Sequence, residues 1–453
     1  MHTIACRERH AFGRWRGPPP ASGLARIAAT MHETAAAFAT CPFCGLLCDD
    51  VTLDAGASAI AVRDNGCARS RDAYAAAGAA ADPPPRIGGA AATLEAALDA
   101  AAAILRGAAQ PLVGGLATDV AGARAAVALA DRCGATIDHV NASAKFRNLL
   151  AIQDRGIIST TLAEVRNRAD LVVVIGPGVE QRFPRLFERV LRPGETLFGA
   201  SPPQRSVIRI GADSRAKSGA EPAATLSIPA PPETLHDVLA ALSATVAGRR
   251  LERSAAFDLD AAALARAAKL MAAARYGVVT WAAPDFDVAH AELAVQAIVR
   301  LLAELNRSTR FAALPLGGSD GDFTADAVAL WQTGFPFRTS FATGAPRYDP
   351  LLNDGRRMLE HGEADALLWL STLGARPAPS TAIPTIVLAS PSQLADGAAD
   401  AARAVAIPVG VPGIDHPSHL LRVDKVVTLR LAACRPSSRP RAAEVLDAIR
   451  ARL

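Results

Sequence analysis

The chain has 453 residues, of which 50% are hydrophobic and 5% aromatic, and its formal net charge is +4. This length predicts two to four domains, and the apolar runs are too short to span a membrane. The small net charge, with no basic stripe interleaved with aromatic residues, argues against nucleic acid as a partner.

Residues 1–38 are predicted to form a disordered extension. Four arginines fall between positions 7 and 16, ahead of three consecutive prolines, and no apolar run precedes a cleavage site, so this is not a secretory signal. Met31, ten residues before Cys41, is a second candidate for the translation start. Clustered thiols without an export signal indicate the cytoplasm, where thiols remain reduced.

Four of the seven cysteines lie in one stretch, Cys41, Cys44 and Cys48 followed after an 18-residue gap by Cys67. Thiolates at this density are soft ligands that converge on one metal centre. Three thiols on a local turn and a fourth from a distance suit a [4Fe–4S] cubane. Structural zinc, which tends towards paired C-x2-C knuckles, and an empty site are the alternatives. Residues 39–85 are therefore predicted to be a small iron–sulfur domain.

A Pro- and Gly-rich bridge at 82–89 ends this region, and strand–helix alternation follows. The alternation predicts open, largely parallel α/β sheets. We assign 86–213 to a first α/β domain, 214–400 to a second, and 401–453 to a return segment with a helix. Helices are predicted at 121–133, 162–168, 236–248, 260–274 and 291–306, and strands at 111–116, 170–176, 206–211, 277–282, 311–316, 366–371 and 385–389.

Three glycine-rich turns follow predicted strands, at 176–178, 317–321 and 411–415. Loops at the carboxyl ends of parallel strands bring backbone N–H groups close to phosphates. None of the three fits the dinucleotide-binding fingerprint, so a plain β-to-α turn is the simpler interpretation of each.

The usual catalytic motifs are absent, since the sequence has no nucleophile elbow, no P-loop and no HExxH helix. His416 and His419 lie three residues apart, a spacing compatible with a metal pair but more typical of a polar loop. The irregular Gly/Pro/aromatic stretch at 331–349 suggests either a subunit contact or a ligand lid.

The sequence Cys-Pro-Phe-Cys-Gly-Leu-Leu-Cys-Asp-Asp at 41–50 resembles the B-type subunit of formylmethanofuran dehydrogenase, a relative of molybdopterin-dependent formate dehydrogenases. Stretches at 149–171, 343–348 and 413–415 carry the same resemblance in the family's order, from about residue 40 to 430. The resemblance implies α/β domains that clasp a bis-pterin molybdenum or tungsten cofactor, without a C-terminal β-barrel domain. It also implies a [4Fe–4S] cluster on Cys41, Cys44, Cys48 and Cys67.

The chain departs from this family at one decisive point. Active members place a cysteine or selenocysteine, followed by histidine, just ahead of the stretch at 149. Here those positions are Ala144 and Lys145. A methyl group cannot coordinate molybdenum, and a protonated lysine is a poor substitute for a neutral imidazole in proton transfer. We therefore expect no catalytic residue and no functional molybdopterin in this chain.

This combination is similar to the B-type subunit of the formyltransferase/hydrolase complex of aerobic methylotrophic bacteria. The resemblance implies a cytoplasmic hetero-oligomer with an amidohydrolase-like A-type subunit, a formyltransferase subunit and a C-type subunit. Such a complex moves a formyl group from tetrahydromethanopterin to a methanofuran-type carrier and hydrolyses it to formate. This chain would be a non-redox scaffold there. The competing hypotheses are a working molybdenum or tungsten oxidoreductase acting on a formyl group or formate, and a pterin- or nucleotide-binding module.

Overall fold

The computed structural model describes residues 37–56, 59–79, 82–198, 205–211, 225–249, 260–374, 376–394 and 403–453. Of the predicted extension, residues 1–36, with Met31, lie outside these ranges, and Ala37 and Phe38 begin the first strand. Within the described ranges, no helix combines the length and the apolar character that a membrane crossing requires.

The predicted helices and strands are present, and their bounds differ from the prediction by at most two residues at either end. The described strands are β1 (Ala37–Ala39), β2 (Val51–Ala55), β3 (Ile60–Asp64), β4 (Arg86–Ile87), β5 (Ala90–Ala91), β6 (Pro111–Ala117), β7 (Thr136–Ile137), β8 (Leu171–Ile175), β9 (Ser206–Ile210), β10 (Leu226–Ile228), β11 (Gly277–Ala282), β12 (Phe311–Leu316), β13 (Thr339–Ser340), β14 (Arg347–Tyr348), β15 (Ala366–Ser371), β16 (Thr385–Ala389), β17 (Ala404–Pro408), β18 (Ser418–Leu421) and β19 (Thr428–Leu431).

The described helices are α1 (Ala68–Ala79), α2 (Leu94–Gly107), α3 (Val120–Cys133), α4 (Ala142–Arg155), α5 (Leu162–Arg168), α6 (Val179–Arg182), α7 (Leu235–Val246), α8 (Ala261–Ala273), α9 (Glu292–Leu305), α10 (Asp322–Thr333), α11 (Gly355–Glu360), α12 (Pro391–Leu394) and α13 (Ala442–Arg450). A π-helical turn spans Phe187–Leu191.

One sheet has five parallel strands in the order β10-β9-β8-β11-β12. Every residue of β8 is buried, as expected for a β-branched run covered by helices on both faces. The strand order reverses between β8 and β11, so the chain returns across the sheet there. Ligand sites in α/β folds lie at the carboxyl ends of such strands.

The other large sheet has nine strands in the order β14-β13-β7-β6-β15-β16-β17-β4-β5. Its five central strands, β7 to β17, are parallel, and short antiparallel pairs form both edges. The predicted open, largely parallel sheets are therefore confirmed. The two segments assigned to α/β domains, 86–213 and 214–400, each supply strands to both sheets. The two sheets therefore do not correspond one to one to these two segments. Strand–helix alternation does not indicate which sheet a strand will join.

The region that contains the four clustered cysteines forms a small layer beside the five-stranded sheet. Strands β1, β2 and β3 make an antiparallel sheet, and α1 packs against β3. Phe43 and Leu46 share one buried apolar cluster with Val172 and Val278 of the five-stranded sheet. The three cysteines of the loop belong to the same cluster, so this layer is part of the core beside that sheet.

Candidate functional site

The predicted metal ligands lie on two adjacent connections of the small layer. Cys41, Cys44 and Cys48 are on the loop between β1 and β2, and Cys67 directly precedes α1. The N–H of Cys41 donates to the carbonyl of Cys48 at 2.8 Å, which closes the loop around the first three thiols. These three cysteines are buried and Cys67 is half-buried.

The four thiols lie close enough to influence one another's protonation. Burial raises the pKa of Cys44 to about 12, with further contributions from Cys48 and Cys67. Burial also raises the pKa of Cys41 well above its usual value, and the other three thiols reinforce the rise. Crowded buried thiols become thiolates only when a cation compensates for their charge. The chemistry of this donor set therefore fits a thiolate-bound metal centre.

A zinc ion and an iron–sulfur cubane require different arrangements of the four thiols. Tetrahedral zinc needs four sulfur atoms about 2.3 Å from one ion. In the described part of the chain, no group of three or more His, Cys, Asp or Glu side chains is arranged to hold a single ion. A cubane distributes its four ligands over four irons, so it does not require the four sulfur atoms to meet at one ion.

Asp49 and Asp50, which follow Cys48, are bound by arginines near the π-helical turn. Arg185 donates to both oxygens of Asp50, at 2.7 and 2.8 Å, and Arg189 donates to Asp49 at 2.6 Å. Arg189 also reaches Asp50, at 3.0 Å. These pairs balance the negative charge of the carboxylates and tie the cysteine loop to the segment between β8 and β9.

A cavity of about 410 Å³ lies between α4 and α10, at the carboxyl ends of β11 and β12. Carboxyl ends of parallel strands are the usual ligand-binding edge of α/β folds. The cavity is lined by Ala144, Lys145, Asn148, Leu149, Pro284, Gly317, Gly318, Asp322, Phe323, Asp326, Leu330, Phe335, Tyr348 and Lys425, among others. The two positions at which the chain departs from the dehydrogenases therefore face a cavity of ligand size.

Lys145 lines this cavity and is mostly buried. Its ammonium forms an ion pair with Asp326 of α10, and the two side chains are 14% and 8% exposed. The same ammonium lies 5.4 and 5.5 Å from the ring centres of Phe323 and Phe337. Ala144 packs against the core of the five-stranded sheet. A methyl group and a buried ion pair thus occupy the positions that the resemblance assigns to a metal ligand and a histidine.

Sequence reasoning missed the other charged groups of the cavity. The Nζ atom of Lys425 lies 4.7 Å from the ring centre of Phe323. Asp322 accepts N–H groups of Gly318 and Phe323 at 2.7 and 2.9 Å, and burial raises its pKa to about 6. Asp322 and Asp326 are four residues apart, which places both on one face of α10. In the sequence, this spacing of four residues was the feature that could have indicated two carboxylates side by side on one helix.

Comparison with curated proteins finds the B-type subunit of the formyltransferase/hydrolase complex Fhc of Methylorubrum extorquens, with 32% identity over 376 residues, 81% of this chain and 97% of the relative. The chain belongs to this family. The B-type subunit of the tungsten-containing formylmethanofuran dehydrogenase 2 of Methanocaldococcus jannaschii is 26% identical over 369 residues, 73% of this chain and 78% of that one. A scan against protein-family models gives no match.

Solved structures agree with the assignment to this Fhc family. A chain of the formyltransferase/hydrolase complex FhcABCD from Methylorubrum extorquens, solved with methylofuran, matches with a TM-score of 0.69 and 30% identity, covering 81% of this chain and 98% of that one. Acetylene hydratase from Pelobacter acetylenicus matches with a TM-score of 0.61 and 11% identity, covering 92% and 69%. The second likeness shows a shared fold alone. The resemblance drawn from four separated motifs is confirmed.

The structure also places the histidine pair, His416 and His419, and the glycine-rich turns noted in the sequence. His416 is buried and His419 is exposed, and neither belongs to a group of three or more side chains that could hold a metal ion within the described ranges. Among the glycine-rich turns, Gly178 donates its N–H to the buried carboxylate of Asp285 at 2.9 Å. A Cβ at Gly178 would lie 2.3 Å from that carboxylate. The carboxylate occupies the place beside this turn that a phosphate would need.

His139, near the start of α4, gives a prediction of pH dependence. Its Nδ1 accepts the N–H of Asn141 at 2.9 Å, and burial lowers its pKa to about 3. In the unfolded chain it titrates near 6.5, so between these values the unfolded state binds more protons and stability falls as the pH falls. Through His139, the free energy of unfolding of the wild type should fall by about 2 kcal/mol between pH 7 and pH 5. We expect this contribution to be absent in His139→Asn.

Urea denaturation at both pH values measures this difference. The neighbouring Asp138, whose pKa burial raises to about 7, has the opposite pH trend. It is present in both proteins, so its contribution cancels in the comparison. Parallel pH profiles of the wild type and His139→Asn would contradict the assignment of a neutral buried imidazole.

Proposed function

We propose that this chain is the B-type subunit of a formyltransferase/hydrolase complex and acts there as a non-redox scaffold. The observation that carries the proposal is the ion pair of Lys145 and Asp326 beside Ala144, at the positions of the family's metal ligand and histidine. The complex would transfer a formyl group from tetrahydromethanopterin to a methanofuran-type carrier and hydrolyse it to formate, the last part of formaldehyde oxidation. Hydrolysis needs no electron acceptor, so loss of the redox ligand is compatible with it.

The cavity supports the proposal through its lining. Its volume is about 410 Å³. Among the described lining residues there is no cysteine or histidine, so none of them offers a thiolate or an imidazole to a molybdenum or tungsten ion.

We also propose that Cys41, Cys44, Cys48 and Cys67 hold a [4Fe–4S] cluster. Their burial and their mutual effect on pKa support a thiolate-bound centre. When bound, such a cluster supplies one-electron transfer in redox proteins. In this chain the cysteines would act as structural staples, because the group would join the β1–β2 loop to the start of α1 within the shared core.

The proposed partners are an amidohydrolase-like A-type subunit, a formyltransferase subunit and a C-type subunit. The support is the match to a chain of the FhcABCD complex along 98% of that chain's length. A chain that shares nearly the whole fold of its relative is expected to retain the same place in the assembly. We place the complex in the cytoplasm, consistent with reduced thiols.

The activity of the assembled complex tests the scaffold function. The complex is purified under anaerobic conditions and supplied with the formylated carrier, with and without a viologen dye as electron acceptor. We expect formate release at the same rate in both cases and no dye reduction on addition of formate. Dye reduction that requires this chain would favour the oxidoreductase hypothesis.

The variant Ala144→Cys gives a second test. It restores a thiol at the family's ligand position, but Lys145 and Asp326 still occupy the space beside it. We expect no formate oxidation by the variant complex, measured by viologen reduction, and formate release equal to the wild type. Measurable formate oxidation would show that one side chain alone had suppressed the redox chemistry.

A further inference from the structure

Tyr74 is a fully buried tyrosine whose hydroxyl has no hydrogen-bond partner among the described residues. It lies in α1 and belongs to the buried cluster that contains Cys41, Cys44 and Cys48. Buried hydroxyl groups in folded proteins nearly always have a partner, because burial without one is unfavourable. The Tyr74 hydroxyl is therefore a donor that calls for an acceptor.

The helix directs Tyr74 towards the cysteines. Cys67 directly precedes α1 and Tyr74 follows it after about two helical turns, so both residues lie on one face of the helix. Side chains of a helix lean towards its N-terminus, which here is the end next to Cys67. The Tyr74 ring meets the ring of Phe43 edge to face, with ring centres 5.0 Å apart. Since Phe43 belongs to the cysteine loop, the ring of Tyr74 lies against that loop.

The hydroxyl is also close enough to the thiols to respond to their charge. Burial raises the pKa of Tyr74 above its usual value, and the thiols of Cys41, Cys434 and Cys48 raise it further. The side chain consequently remains a neutral O–H group. Such a group donates a hydrogen bond, whereas only the phenolate would bind a metal.

Other donors beside the thiols already have sulfur as their acceptor. The N–H of Ser70 donates to the Sγ atom of Cys67 at 3.4 Å. Burial raises the pKa of Cys48, and a hydrogen bond from the Arg189 side chain opposes that rise. Hydrogen bonds to sulfur therefore occur at two of the four predicted ligands. Bonds of this kind help to set the reduction potential of an iron–sulfur cluster.

Cys434 is the alternative acceptor, because it packs against the same buried cluster. Its thiol donates to the carbonyl of Gly413 at 3.0 Å, and burial raises its pKa to about 11. It is thus a neutral thiol, whose sulfur accepts hydrogen bonds weakly. The sulfur atoms of a thiolate-bound cluster carry negative charge and are the stronger acceptors.

We propose that the Tyr74 hydroxyl donates a hydrogen bond to a sulfur atom of the cluster held by the four cysteines. The inference rests on the proposed function, because it takes these cysteines to hold a [4Fe–4S] cluster. The bond would give the buried hydroxyl its partner and would stabilise the additional negative charge of the reduced cluster. It would also join α1 to the cluster at a second point besides Cys67, which suits a structural cluster.

The variant Tyr74→Phe in the anaerobically purified complex tests the bond. A redox titration followed by electron paramagnetic resonance gives the reduction potential of the cluster. We expect the equilibrium constant for reduction to fall about tenfold, which for one electron is a shift of about 59 mV towards lower potential. The iron content should remain that of the wild type, because a phenol is not one of the cluster ligands.

Tyr276→Phe is the matched control. It removes a hydroxyl that is already bonded to the hydroxyl of Thr160, at 2.8 Å. The potential of the cluster should be the same in this variant as in the wild type. An unchanged potential in Tyr74→Phe, or an equal shift in both variants, would overturn the proposal.

The donated proton gives a second measurement that a purely structural effect of the substitution would not reproduce. In the reduced complex prepared in D₂O, electron–nuclear double resonance should detect a deuteron coupled to the cluster that is absent from Tyr74→Phe and present in Tyr276→Phe. The same set of coupled deuterons in the wild type and Tyr74→Phe would overturn the bond and assign the hydroxyl to another acceptor, such as Cys434 or a buried water.

These outcomes are distinct from those that test the proposed function. About four irons per chain in both proteins, with equal potentials, would overturn the hydrogen bond and leave the cluster intact. A wild-type complex without iron would overturn the cluster, and the bond with it. Molybdenum or tungsten in a complex whose potential responds to Tyr74→Phe would overturn the scaffold function and leave the bond intact.

Discussion

Lys145→Met is expected to lower the free energy of unfolding by about 3–5 kcal/mol, because it leaves the carboxylate of Asp326 buried without its cation. The two side chains are 14% and 8% exposed, so water has little access to the carboxylate. Methionine keeps an unbranched aliphatic side chain between Phe323 and Phe337, so the change chiefly removes charge. Urea denaturation at neutral pH measures the loss.

A double variant separates the ion pair from the packing around it. Lys145→Met combined with Asp326→Leu should recover most of the lost stability, since apolar replacement of a whole buried pair is often neutral or stabilising. Arg356→Met is the matched control, because its pair with Glu360 at 3.8 Å is 77% and 60% exposed. That change should cost less than about 1 kcal/mol. A loss of stability in Lys145→Met no larger than that in Arg356→Met would contradict the description of Lys145 and Asp326 as a buried ion pair.

Cys44→Ser is expected to abolish iron binding. A serine hydroxyl is a harder and weaker ligand for iron than a thiolate, so the variant removes one of the four thiolates of the cubane. Iron should fall from about four atoms per chain to near zero, with loss of the visible absorbance of the cluster. The thermal midpoint should also fall, because the loop belongs to the core shared with the five-stranded sheet.

Cys133→Ser is the control for this loss. Cys133 ends α3, is half-buried, and packs against the core of the nine-stranded sheet, away from the cysteine loop. It should retain full iron. Unchanged iron in Cys44→Ser, or zinc in place of iron in the wild type, would overturn the cluster assignment.

The individual helices and strands follow from local physics. The run Leu171–Ile175 is apolar and β-branched at most positions, so a buried strand is its natural conformation. The pairing of strands is a long-range property. Pro111–Ala117 pairs with Ala366–Ser371, and the whole five-stranded sheet lies between them in the sequence. No pattern within either strand records that pairing.

The candidate site, too, was only partly predictable from the sequence. The cysteine spacing and the change at Ala144 and Lys145 were visible in the sequence. The partner of Lys145 was not, because Asp326 reaches it only where the tertiary fold places α10 and α4 on the same cavity. Lys425, on the turn between β18 and β19, joins the cavity from still farther along the chain. Such convergence depends on the tertiary fold.

Iron, molybdenum and tungsten per copy of this chain, measured in the anaerobically purified complex, test the scaffold function most directly. We predict about four irons and neither molybdenum nor tungsten above trace amounts. Molybdenum or tungsten at about one atom per chain would contradict this prediction, because the cavity beside Ala144 would then hold an active metal.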